Sequence, residues 1–251
     1  MGVLKQIVMR VRWEVRLGLD RIVDRYYSID TVVRAPLPKA FESGQFADAY
    51  VNGSTSYWIL RYYFDYKKLG PQEVFYDVGC GHGRVLCAVA RHHVAKCVGI
   101  ELSAEFAEKA RANVAALRGR ISPIEVRVGD AAQMDYADGT TFYFGNPFGA
   151  DTMQAVLKQI GETVAANPRA VKCIFLLPRE QGSDAVRGVI EATGWLRFVT
   201  GQPLPFSPMR IDYWASEPTQ HEDTKAVENA FATHANDQRP TVVSSSCGSG
   251  L

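Results

Sequence analysis

The chain has no apolar run of the roughly 18 residues that a membrane-spanning helix requires. Lys5, Arg10, Arg12, Glu14 and Arg16 break up its amino-terminal region, so no secretory signal core is expected there. Net charge is nearly absent: 28 Lys and Arg stand against 27 Asp and Glu in 251 residues, which leaves +1. Without a global field for a long polyanion, no large nucleic-acid footprint is expected. Cysteine is sparse and odd in number, five residues with no Cys-x-x-Cys pair. That excludes a disulfide scaffold and predicts reduced thiols in a cytoplasmic protein. The same spacing disfavours a zinc site from Cys80, His82, Cys87, His92, His93 and Cys97, which a strand, a loop and a helix would hold apart. No Gly-x-Ser-x-Gly elbow or His-Glu-x-x-His pair occurs. No metal ligand set is predicted.

What remains is an ordinary globular composition, 47% hydrophobic and 22% charged, in a chain long enough for one buried α/β domain with additions. Three regions are expected: a helical cap and lid segment over 1–73, a central domain over 74–216, and a polar, acidic tail over 217–251. In the first region Leu4, Ile7, Val8, Val11, Val15, Leu19, Ile22 and Tyr26 recur at three- and four-residue steps, predicting one amphipathic helix over 3–27. Residues 1–34 hold seven Lys and Arg against four acids. The stripe is expected to pack on the chain's own domain or a partner subunit, in preference to an anionic membrane surface. Residues 35–56 have loop composition, and a second helical pattern follows from Tyr57 to Tyr66.

From Val74 onward strand and helix patterns alternate. Strands are predicted at 74–78, 96–101, 124–128, 141–144, 171–177, 196–200 and 211–216, and helices near 83–92, 103–118, 151–165 and 183–193. Alternation of this kind predicts an α/β fold with a doubly wound, mostly parallel sheet. The last two strands lack a helix between them and are expected to form an antiparallel edge hairpin.

Chemistry concentrates at the carboxyl ends of four successive strands, the edge where open α/β sheets bind ligands. The first strand runs into Asp77-Val78-Gly79-Cys80-Gly81-His82-Gly83, a glycine loop that lets backbone N–H groups approach a ligand at a helix's electropositive end. Arg84 stands where a dinucleotide fingerprint needs its third glycine, which weakens an NAD-dependent oxidoreductase reading. Glu101 closes the second strand, placed to accept both hydroxyl protons of a ribose. Asp130-Ala131 follows the third, placed to accept an adenine N–H and donate to the ring. Gly145-Asn146-Pro147-Phe148 ends the fourth.

Over residues 74–216 these features resemble the class I S-adenosylmethionine-dependent methyltransferases. Asp77–Gly83 is similar to their first motif, Glu101 to their ribose-binding acid and Asp130 to their adenine-side acid. The resemblance implies a seven-stranded Rossmann-like sheet and S-adenosylmethionine as cofactor, held by Asp77, Gly79, Cys80, Gly81, Gly83, Glu101, Leu102, Asp130, Ala131 and Asn146. Asn146-Pro147-Phe148 is similar to segments of amino-directed and Dot1-type enzymes, and these three are the implied catalytic residues. The implied acceptor is an amine or amide nitrogen of a protein or small molecule. In the loop, Cys80 and His82 are expected to face ligand or solvent, with Cys87 and Cys97 buried. Tyr50, Tyr57, Trp58, Tyr62 and Tyr63 are candidate walls. The alternative is a non-catalytic nucleotide-binding scaffold on the same fold.

Overall fold

The computed structural model describes residues 3–32, 53–64, 68–179, 183–205 and 207–216. The acidic tail and Tyr50 lie outside them. Helix α1 spans Val3–Tyr27. A helical segment over 57–64 begins as α at Tyr57–Ile59 and widens to π over Leu60–Phe64. The alternating part follows as β1 (Val74–Val78), α2 (Arg84–Val89), β2 (Lys96–Glu101), α3 (Ala104–Ala116), β3 (Ile124–Val128), β4 (Thr141–Phe144), α4 (Ala150–Ala166), β5 (Lys172–Pro178), α5 (Ser183–Glu191), β6 (Leu196–Pro203) and β7 (Met209–Ser216).

The strands form one seven-stranded sheet in the order β3-β2-β1-β4-β5-β7-β6. The first five strands pair in parallel, while β7 runs antiparallel to both β5 and β6. The expected hairpin is present, and its second strand lies inside, between β5 and β6. Central strands are buried almost throughout: β4, Thr-Phe-Tyr-Phe, has every residue inside. Strands covered by helices on both faces need such unbroken apolar runs. One face carries Tyr76, Phe142, Phe144 and Phe175 against Met153, Val156, Leu157 and Ile160 of α4. On the other face Phe64 stacks on Phe75 at 5.7 Å and on Tyr143 at 5.2 Å, seating the 57–64 segment.

The end of α1 is tied down. Ser28 takes φ +64, and the Ile29 N–H returns to the Asp24 carbonyl at 2.9 Å, a left-handed helix stop. The chain then lies along α3, where the Asn113 amide accepts from the Asp30 N–H at 2.9 Å and donates to the Asp30 carbonyl at 3.0 Å.

The orientation of α1 bears on the expectation that its apolar stripe packs on the chain's own domain or a partner subunit: over residues 11–26 the stripe is not buried on its own domain. Asp20 and Asp24 face inward and are buried, whereas Val11, Val15, Leu19, Ile22 and Tyr26 face outward. A buried cation on α2, described below, draws the acidic face of the helix in.

Candidate active site

The chain reverses direction across the sheet at β1, since β2 and β3 lie to one side of it and β4 to the other. The carboxyl ends of β1 and β4 therefore flank a topological switch point, where ligand crevices form in such sheets. After β1 the N–H groups of Gly79 and Cys80 both donate to the Ile100 carbonyl at 2.9 Å, which pins the loop to β2. Gly79 and Gly83 both take φ +81. A β-carbon on Gly79 would sit 2.4 Å from that of Pro147, so the glycine loop and the loop after β4 touch with no room for a side chain.

Glu101 is 6% exposed and organises this crevice. Its Oε2 accepts the Gly81 N–H at 2.8 Å and its Oε1 the Ser103 N–H at 2.9 Å. The Leu102 N–H is a further donor to this carboxylate, whose lone pairs still leave room for a ligand. Burial raises the Glu101 carboxyl above its ordinary range despite these hydrogen bonds. Asp77 is also buried, and its Oδ2 has no hydrogen-bond partner. Burial, then the neighbouring Glu101 charge, push Asp77 up to about 8. Two buried acids, one with an orphan oxygen, can ionise together in the crevice only with positive charge beside them. A ligand carrying an ammonium or sulfonium would supply it.

Along the same edge, Leu102 is half-buried and Ala131 buried. Asp130 is exposed, and its carboxylate caps the short turn Ala131–Gln133 by accepting the Ala132 N–H at 2.9 Å. Asn146 follows β4 with φ +56 and is 9% exposed. Pro147 backs the glycine loop. The Phe148 ring lies in the core, edge-on to Phe144 at 6.4 Å, and presents no open face.

Cys80 departs from expectation: it is buried beneath the loop, in space left by Gly99, where a β-carbon would lie 2.8 Å from its Sγ. Burial foremost holds this thiol well above its ordinary value. Cys87 and Cys97 are buried as anticipated, and with Cys80 and Cys173 they are free thiols. His82 is half-buried, its ring edge-on to Phe106 at 4.9 Å and its Nδ1 buried without a partner. Burial lowers its pKa. Among the described residues no three His, Cys, Asp or Glu side chains gather as a metal site.

What sequence reasoning missed is the structural role of Arg84, a 2% exposed guanidinium directly after the glycine loop. It donates to Asp20 Oδ2 at 2.9 Å, to Asp24 Oδ2 at 3.4 Å and to Thr31 Oγ1 at 2.6 Å. Its guanidinium carbon lies 5.0 Å from the Tyr57 ring centroid, and the Tyr57 hydroxyl donates to Asp24 Oδ1 at 2.7 Å. Tyr57 is thus part of this clasp. Burial, outweighing Arg84, raises the Asp20 carboxyl. A signal did exist: acids four residues apart on a helix share one face, and here that face opposes the apolar stripe. Of the other candidate walls, Trp58 packs between Arg16, 4.7 Å from its ring, and Tyr63, while Tyr62 is exposed. Thr55, also missed, hydrogen-bonds the Tyr143 hydroxyl at 2.9 Å and holds the segment before Tyr57 over the end of β4.

Residues 75–167 match the model of a family described as a methyltransferase domain. Over 85 residues the chain is 29% identical to a protein-lysine N-methyltransferase of Saccharolobus islandicus, covering 33% of this chain and 51% of that protein. Over 63 residues it is 41% identical to ajmaline N-methyltransferase of Rauvolfia serpentina, covering 25% of this chain and 21% of the relative. The matches thus span about half of one relative and a fifth of the other. A solved RNA methyltransferase from Salinibacter ruber, bound to S-adenosyl-L-homocysteine, aligns with 68% of this chain and 97% of its own at 20% identity and a TM-score of 0.46. Residues 75–167 carry the match to the methyltransferase-domain family, and they hold β1 to β4 of the seven-stranded, mostly parallel sheet.

Proposed function

We propose that the whole chain transfers a methyl group from S-adenosylmethionine to an amine nitrogen of a protein or small-molecule acceptor. The observation that carries this reading is the contact of Gly79 with Pro147, which brings the glycine loop and Asn146 to one crevice beside the orphan oxygen of Asp77. The bound cofactor would supply an activated, electrophilic methyl group. Asp77 and the backbone of Gly79, Cys80, Gly81 and Gly83 would hold its methionine part, Glu101 and Leu102 its ribose, and Asp130 and Ala131 its adenine.

Asn146 is the residue assigned to the acceptor. Its side-chain oxygen accepts an N–H of a neutral amine and so turns the nitrogen lone pair toward the methyl group. Alignment of this kind is the main demand on the protein, because the donor is already activated. Pro147 and Phe148 hold Asn146 in place. The names of the lysine- and ajmaline-directed relatives support nitrogen as the acceptor atom. A reducing, cytoplasmic setting accords with the free thiols.

Calorimetric titration with S-adenosylmethionine, and separately with NADH, tests the pocket. Methyl-donor binding should weaken about 100-fold in Glu101→Ala, which loses two charge-assisted hydrogen bonds to the ribose. Asn146→Ala should keep cofactor affinity and lose transfer of labelled methyl to a panel of lysine-rich proteins and small amines. Equal loss of cofactor binding in both variants would refute this division of roles. Binding of NADH alone would overturn the proposal.

A further inference from the structure

Helix α1 is amphipathic in an inverted sense. Its inner face carries Asp20 and Asp24, which bind the buried Arg84, together with Tyr27, packed on the cluster of Ile29, Cys87 and Leu117. Its outer face carries Val11, Val15, Leu19, Ile22 and Tyr26, each 56–66% exposed. Their spacing of three and four residues aligns them in one stripe about 22 Å long at 1.5 Å per residue. In sequence the pattern continues upstream through Leu4, Ile7 and Val8. The Asp20/Asp24–Arg84 clasp prevents the helix from rolling to bury this stripe on its own domain, because doing so would expose one set of charges and strand the other.

The clasp also decides the charge of the outward side. With Asp20 and Asp24 turned inward onto Arg84 and Arg16 lying over Trp58, the rest of residues 3–27 holds in sequence Lys5, Arg10, Arg12, Arg21 and Arg25 against the single acid Glu14. Arg21 and Arg25 are exposed beside the stripe. Among the described residues no helix is long and apolar enough to cross a membrane. An apolar stripe bordered by cations suits the plane of an anionic bilayer surface, with aliphatic side chains among the acyl chains and guanidinium groups at the phosphates. A second copy is a poorer occupant. Pairing two such stripes would set Arg against Arg along the seam, with only Glu14 to offset them.

We propose that α1 docks the protein on anionic lipid surfaces through Val11, Val15, Leu19, Ile22 and Tyr26, flanked by Arg21 and Arg25. The inference is independent of the acceptor.

The test is co-sedimentation of the full chain with large vesicles of phosphatidylcholine alone or mixed with phosphatidylglycerol, at low and high salt. Binding should need the anionic lipid and weaken with salt. Arg21→Gln with Arg25→Gln should lower partitioning about 25-fold, or five-fold for each cation. Leu19→Glu with Ile22→Glu should lower it at least about 100-fold, with the circular dichroism of the native chain retained because both side chains are exposed. If that pair of substitutions disturbs folding, the Arg pair serves as the deciding variant. A full chain that stays in solution with anionic vesicles overturns the proposal, as does binding indifferent to the Leu19 and Ile22 changes. A dimer in light scattering, lost in Leu19→Glu/Ile22→Glu and without vesicle binding, would assign the stripe to a second copy.

Discussion

Replacing Arg84 with Met tests whether α1 is held by charge. The substitution keeps much of the side chain's volume and removes the guanidinium that faces Asp20 and Asp24. Removing one partner of a buried ion pair costs about 3–5 kcal/mol, because the remaining charge has neither water nor counter-ion. Here the lower end applies. Asp20 keeps hydrogen bonds from the Tyr57 N–H and the Ser56 hydroxyl, both at 3.1 Å. Asp24 keeps the Thr31 N–H at 2.9 Å and the Tyr57 hydroxyl at 2.7 Å. A loss of about 3 kcal/mol is a factor of roughly 150 in the opening equilibrium. Hydrogen exchange is the appropriate assay because it resolves local from global opening. Amides of α1 over residues 16–27 should lose about that factor of protection, and those of β1 and β4 much less. The deficit should shrink as pH falls into the carboxylate range, where protonation removes the stranded charge. Adding Asp20→Asn and Asp24→Asn to Arg84→Met should restore part of the protection. Unchanged α1 exchange in Arg84→Met, or a deficit independent of pH, would refute the argument.

Three further outcomes are expected. Cofactor affinity, measured by calorimetry, should fall up to tenfold per unit as pH drops below about 8, because a cationic ligand needs Asp77 ionised; Asp77→Asn should flatten that profile. For the ligand-free protein, the Asp77 pKa is raised from 3.8 to about 8, so the native state holds the proton more tightly and stability contributed by this group is lost as pH rises across that window; denaturant titrations of wild type and Asp77→Asn should diverge there. Gly79→Ala, with φ +81 and a β-carbon 2.4 Å from Pro147, should cost at least about 2 kcal/mol and abolish the cofactor heat, whereas Gly81→Ala, with φ +53 and open space, should cost about 1 kcal/mol. Equal melting temperatures for the two glycine variants would contradict the assigned loop packing.

Much of this molecule is legible in the chain alone. The boundaries of β1 to β4 follow from short apolar runs cut by glycine and polar turns, signals within a few residues of the elements they delimit. The same holds for the clustering of Asp77–Gly83, Glu101, Asp130 and Asn146 at strand ends, since parallel strands deliver their carboxyl ends to one edge. Contacts between distant segments decided the rest. Insertion of β7 between β5 and β6 depends on which edge its backbone groups pair with, and no local pattern encodes that. Cys80 turned inward because Gly99, on another strand, leaves space for its sulfur. Phe148 went to the core because Phe144 offers it a partner there. The amphipathicity of α1 was readable, but its orientation was not. Burying Arg84 requires anionic partners, and the chain supplies Asp20 and Asp24, some 60 residues upstream. That electrostatic requirement outweighed the burial of five apolar side chains and turned them outward.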